Sequence, residues 1–153
     1  MINTTLCYLE RDGKYLMLHR VKKKNDANHD KWLGIGGKLE PAESPFDGVR
    51  REVYEETGLT LKNLKYRGII TFHSNLYGTE YMHLFTSSDF SGDINYDCDE
   101  GRLEWVEKSK VFSLPIWEGD KIFFKLLEKD APPFSLKLIY DGDTLTSHTV
   151  DFL

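Results

Sequence analysis

The chain has 153 residues, of which 40% are hydrophobic and 13% aromatic, enough for one domain with a buried core. A formal net charge of −5 argues against a surface that gathers duplex nucleic acid, and no apolar stretch reaches transmembrane length or resembles a signal peptide. Cys7 and Cys98 fit no metal-ligand spacing and read as thiols, so the expectation is a single domain, residues 1–153, in the cytoplasm and away from membranes. Nothing in the sequence fixes an oligomeric state.

Residues 4–9 and 15–20 read as strands around an Asp12-Gly13 turn, a hairpin-like opening pair. Residues 22–31 are polar and lack periodicity. A solvated loop and a basic loop over an anionic ligand describe them equally well, and Lys23 is the contact the second reading names. Trp32-Leu33-Gly34-Ile35-Gly36-Gly37-Lys38 follows, where glycines let the backbone come close to another group and Lys38 adds a compact positive charge. Such a turn is weak evidence by itself, and it matches neither the P-loop nor the dinucleotide fingerprint.

A helix should run over residues 45–57. Ser44 is a good N-cap, Pro45 suits the first helical position, Asp47 favours the positive helix end, and Gly58 can terminate it in the left-handed conformation. Phe46, Val49 and Val53 form an apolar stripe at helical spacing, and Glu52, Glu55 and Glu56 cluster on a flank roughly 100° away. Like charges at i, i+3 and i+4 repel, so a cation must offset them, and oxygen donors on a rigid element suit a hard ion such as Mg²⁺. An isolated cluster of this kind would read as a solvated acidic face.

Residues 64–74 and 79–87 read as strands around a turn at 75–78. Shorter strands are expected at 93–96 and 103–106, separated by the acidic run Asp97-Cys98-Asp99-Glu100. A helical turn at 108–112 is broken by Leu114-Pro115. Residues 117–129 then place Ile122, Phe123, Leu126 and Leu127 at helical spacing, a core stripe. Pro132-Pro133 stops that helix, and residues 134–140 and 145–152 form a hairpin about Asp141-Gly142. Seven or eight strands and two main helices make an α+β protein.

Counting from Gly37 gives five residues to Glu43, seven more, then Arg51-Glu52-Val53-x-Glu55-Glu56-x-Gly58-Leu59. This resembles the Nudix box, the signature of metal-dependent hydrolases of nucleoside diphosphate-linked compounds. The resemblance implies an α/β/α sandwich with a mixed central β-sheet, and Mg²⁺ as cofactor with Mn²⁺ able to substitute. It assigns Glu52, Glu55 and Glu56 as metal ligands together with a backbone carbonyl of Gly37 or Gly36. Arg51 would orient a box carboxylate, Glu43 would support the loop, and the general base would be Glu56, with Glu100 as the other contender.

Outside the box, Trp32-x-Gly34-x-Gly36-Gly37-Lys38, Phe72, Trp117-Glu118-Gly119-Asp120 and Phe134-Ser135-x-Lys137…Tyr140-Asp141-Gly142-Asp143 resemble the MutT-like oxidised-purine nucleoside triphosphatases. That likeness implies hydrolysis of 8-oxo-dGTP to a nucleoside monophosphate and pyrophosphate. Lys23, Leu33, Gly36, Lys38, Phe72, Trp117 and Asp120 are the substrate-binding candidates it suggests. The mammalian branch of the group carries a base-reading Asn where this chain has Leu33, and two adjacent Asp where this chain keeps Asp120 after Gly119. Another nucleoside diphosphate derivative as substrate (a nucleotide sugar, a dinucleoside polyphosphate or capped RNA) or a nucleotide-sensing module without catalysis are the alternatives.

Overall fold

The computed structural model describes residues 2–22 and 26–153. Among them are nine strands: β1 (Ile2–Arg11), β2 (Lys14–His19), β3 (Trp32–Leu33), β4 (Thr60–Ser74), β5 (Gly78–Ser91), β6 (Asp97–Cys98), β7 (Gly101–Glu107), β8 (Phe134–Asp141) and β9 (Thr144–Phe152). Two α-helices, α1 (Pro45–Thr57) and α2 (Glu118–Glu128), and a 3₁₀ helix (Lys108–Ser113) complete the elements. One sheet runs β6-β7-β2-β1-β5-β4-β8-β9, with β3 beside β2. β1 pairs with β5 and β4 with β8 in parallel, and the other ladders are antiparallel, so the sheet is mixed.

Alternating side chains divide the interior between the two faces of the sheet. Cys7, Leu9, Leu16 and Leu18 join Val49 and Val53 of α1 on one face. Tyr8, Tyr15 and Met17, from the same two strands, join Phe123, Phe124 and Leu127 of α2 on the other. This is the expected α/β/α sandwich with a mixed central sheet.

α1 has the limits its caps dictate. Ser44 Oγ accepts from the Asp47 amide at 3.0 Å and Asp47 Oδ2 accepts from the Ser44 amide at 3.0 Å, a reciprocal capping box. Gly58 closes the helix at φ 81°, where a Cβ would be strained. Burial of Val49 and Val53 contributes about 1.5–3 kcal/mol each, against about 1 kcal/mol for a cap. Phe46 stays 38% exposed, its ring edge-on to Phe85 at 4.9 Å.

The strand expected at 93–96 is absent. That segment crosses the end of α1 instead, with the Asn95 amide donating to the Thr57 carbonyl at 2.9 Å, and pairing resumes at β6 inside the acidic run. In α2 the fully packed rings are Phe123 and Phe124, while Ile122 and Leu126 flank them half-buried. Cys7 and Cys98 are both free thiols, and burial pushes the Cys7 thiol up to about 12. Among the described residues no helix is long and apolar enough to cross a membrane.

Candidate active site

The glycine turn is zipped onto β1. Ile35 and Cys7 exchange backbone hydrogen bonds at 2.7 and 2.9 Å, and the Thr5 amide donates to the Gly37 carbonyl at 2.9 Å. Gly36 lies so close to β1 that a Cβ would collide with the Thr5 carbonyl, and a Cβ on Gly37 would stand 2.6 Å from the Glu52 carboxylate carbon. Because Val49 and Val53 pin α1 to the same face, its acidic flank is held against this turn. Local spacing alone put the glutamates together. The β1 pairing brings the turn to them.

Arg51 organises that flank. Its Nε and Nη2 donate to Glu43 Oε2 and Oε1 at 2.7 and 2.8 Å, a two-pronged pair. Nη1 reaches Glu52 Oε1 at 2.8 Å and Glu55 Oε2 at 3.3 Å, and Nη2 also donates to the Lys38 carbonyl at 3.1 Å. One guanidinium thus ties loop, box and helix. Its hydrogen bonds, with a further one from the Glu40 amide, hold the Glu43 carboxyl down at about 2.

Glu56 is treated oppositely. Burial, then the charges of Glu100 and Glu52, raise its carboxyl to about 8, although the Gly36 amide donates to it. Its Oε2 is buried without a hydrogen-bond partner among the described residues. Glu100 accepts from Arg20 Nη1 at 3.0 Å, and Arg20 Nε donates to Asp26 Oδ2 at 2.7 Å.

These donors suit a hard divalent cation. A buried, orphaned carboxylate oxygen, whose carboxyl is raised by burial and then by neighbouring like charges, is what a cation would relieve. Among the described residues no three ligating side chains converge as they stand, because Arg51 draws Glu52 and Glu55 to itself. Glu55 is 57% exposed and has room to swing. The Gly37 carbonyl named as a ligand accepts from the Thr5 amide, and the Gly36 amide donates to Glu56.

A cavity of about 370 Å³ opens beside this cluster. It reaches Gly36, Gly37 and Glu100 at one end, next to the helix carboxylates, and Phe72, Trp117 and Asp120 at the other. Phe72 meets the Trp117 ring edge-on at 5.4 Å, and Tyr140 meets it at 5.2 Å. Asp120 is 6% exposed, and burial lifts its carboxyl to about 8 despite the nearby charge of Lys31. That burial favours the protonated carboxyl, a form able both to donate and to accept.

Of the substrate-binding candidates, Leu33, Gly36, Phe72, Trp117 and Asp120 line the cavity. Lys38 does not. Its backbone forms an isolated bridge to Thr4, a lining residue, and Lys38 itself is exposed. Lys23 lies outside the described residues. The structure adds residues that sequence reasoning passed over. Arg20 and Asn28 line the cavity, and Lys31 Nζ stands 4.8 Å from the Trp117 ring centre. Asn28 Oδ1 accepts from Trp117 Nε1 at 2.7 Å across 89 residues of sequence. Tyr77, at the β4–β5 tip, faces Trp117 edge-on at 6.3 Å. A polar loop without periodicity carries no signal for such contacts.

Comparison with known proteins gives the fold and the carboxylate cluster their class. Residues 2–127 match the NUDIX domain. The chain is 31% identical over 120 residues to an uncharacterized Nudix hydrolase of Bacillus subtilis, spanning 76% of this chain and 72% of that one. It is 29% identical over 149 residues to the oxidized purine nucleoside triphosphate hydrolase of Danio rerio, spanning 96% and 92%. A crystal structure of a MutT protein from Bacillus halodurans superposes with a TM-score of 0.87 at 29% identity, over 99% and 98% of the two chains. The chain belongs to the Nudix family, hydrolases of phosphoanhydride bonds that generally use a divalent metal.

Proposed function

We propose that this protein is a Mg²⁺-dependent nucleoside triphosphate pyrophosphohydrolase that prefers oxidised purines and converts 8-oxo-dGTP to 8-oxo-dGMP and pyrophosphate. The observation that carries this reading is the two-ended cavity, with a carboxylate-rich end for a metal and polyphosphate and an aromatic end closed by a neutral acid. Glu52, Glu55, Glu56 and a backbone carbonyl of Gly37 or Gly36 would hold the ion. When bound, it supplies charge neutralisation for phosphate oxygens and acidifies the attacking water.

The chain's own groups do the rest. Arg51 keeps Glu43 ionised and holds Glu52 in place by a hydrogen bond, so the site does not have to reorganise. Glu56, as a carboxylate, takes the proton of the attacking water, and its burial tunes its basicity towards neutral pH. Trp117 and Phe72 cover the faces and edge of a planar base. The neutral Asp120 carboxyl pairs its hydroxyl and carbonyl with the adjacent carbonyl and N–H that an oxidised guanine presents.

A substrate series in Mg²⁺ tests this directly: 8-oxo-dGTP, dGTP, ATP, ADP-ribose and a diadenosine polyphosphate, with pyrophosphate and phosphate measured separately. Pyrophosphate release at the highest kcat/KM from 8-oxo-dGTP is expected, and removal of the metal by EDTA should abolish it. Equal rates on every unmodified triphosphate would remove the preference for oxidised bases.

A further inference from the structure

The Trp117 ring is anchored from a loop that the reading above does not use. Asn28 Oδ1 accepts from Trp117 Nε1 at 2.7 Å. An indole N–H can only donate, so this bond fixes which end of the carboxamide is oxygen and which is nitrogen. The Asn28 amide in turn donates to Asp26 Oδ1 at 3.1 Å, and Asp26 Oδ2 is held by Arg20. Backbone bonds from Arg20 to Lys31, Asp30 to Arg20 and Lys31 to Asn28 brace the loop on either side. Asn28 lines the cavity, and among the described residues its Nδ2 has no hydrogen-bond partner.

We propose that Asn28 is a specificity-determining residue, its Nδ2 donating to a carbonyl on the substrate's base while its Oδ1 keeps Trp117 in place. The chemistry needed there is a donor. Leu33 on the neighbouring wall has no polar atom, and beside Asn28 the polar side chains near Trp117 in the lining are Asp120, a carboxyl, and Tyr77, a phenol. A 6-oxo purine, with its carbonyl acceptor, therefore satisfies the carboxamide nitrogen, whereas the 6-amino group of adenine presents a second donor against it. The 26–31 loop would thus read the base and hold its stacking wall in one move.

This inference rests on the base occupying the aromatic end of the cavity. Asn28→Asp separates the two duties, because it keeps an oxygen for Trp117 Nε1 and removes the donor. The measurement is kcat/KM for 8-oxo-dGTP, dITP and dATP in Mg²⁺ with both enzymes. A loss of about tenfold on the two 6-oxo substrates, with dATP unchanged or improved, is expected. An equal loss on all three would make Asn28 a structural anchor only, and unchanged rates on all three would show that its nitrogen meets no base; either result overturns the proposal. If the wild-type enzyme releases no pyrophosphate from any of the three, the triphosphatase reading fails with it, an outcome distinct from both.

Discussion

Two carboxyl groups, Glu43 in the charged cluster behind the cavity and Asp120 in its wall, show how the same chemical group is set to opposite tasks. Glu43, at the metal end, sits in the fork of Arg51 and is held down at about 2. Asp120, at the base end, is closed in by Phe72, Trp117 and α2 and is raised to about 8. The first is a charge-paired strut held towards its ionised form, and the second is pushed by burial towards its protonated form. Solvent access and one guanidinium make the difference, not residue type.

Glu56 breaks any simple division between the ends, because it belongs to the charged cluster yet is raised like Asp120. Replacing it is the harshest test of the metal end. Glu56→Gln keeps the shape but cannot take a proton, so kcat should fall by about 10²–10⁴-fold with the fold intact by circular dichroism. Full activity in that variant would move the base elsewhere, with Glu100 next in line. Arg51→Lys comes second. An ammonium cannot serve Glu43 and Glu52 in the same geometry, and a loss of about 10–100-fold in activity or metal affinity is expected. Wild-type metal affinity and rate in the lysine variant would mean that the fork is ornamental.

The two ends also differ in how far they could be read from the sequence. α1 was legible to the residue because its caps and apolar stripe lie within fifteen positions, Ser44 to Gly58, and local rules govern them. The box glutamates were legible for the same reason. That Arg51 gathers Glu43, Glu52, Glu55 and the Lys38 carbonyl was only partly so, since side-chain rotamers decide it. At the base end, Phe72, Trp117 and Asp120 came from family likeness, and no periodicity joins them. Asn28 was invisible because its partner lies on the N-terminal side of α2 and its own segment is polar throughout. Lys38 was named from its place beside the glycines; its backbone bridges to Thr4, and it is exposed and not among the lining residues.

The smallest effect, and the sharpest on the contrast itself, concerns stability against pH in the metal-free protein. Asp120 binds its proton more tightly when folded, at about 8, than an unfolded aspartate does near ~4. Stability that depends on the protonated form is therefore complete below pH ~4 and is lost as pH rises through about 8. Glu56 acts in the same direction, while Glu43 acts in the opposite one, adding stability that disappears only as pH falls towards about 2. Between pH 6 and 9 in EDTA, Tm should fall with rising pH. Asp120→Asn, neutral at every pH, should flatten that fall by about 2–4 °C for each kcal/mol it removes. A Tm profile that is level in the wild type, or as steep in Asp120→Asn, would show that Asp120 is ionised in the folded protein, and the base end would then be a second charged site rather than a neutral one.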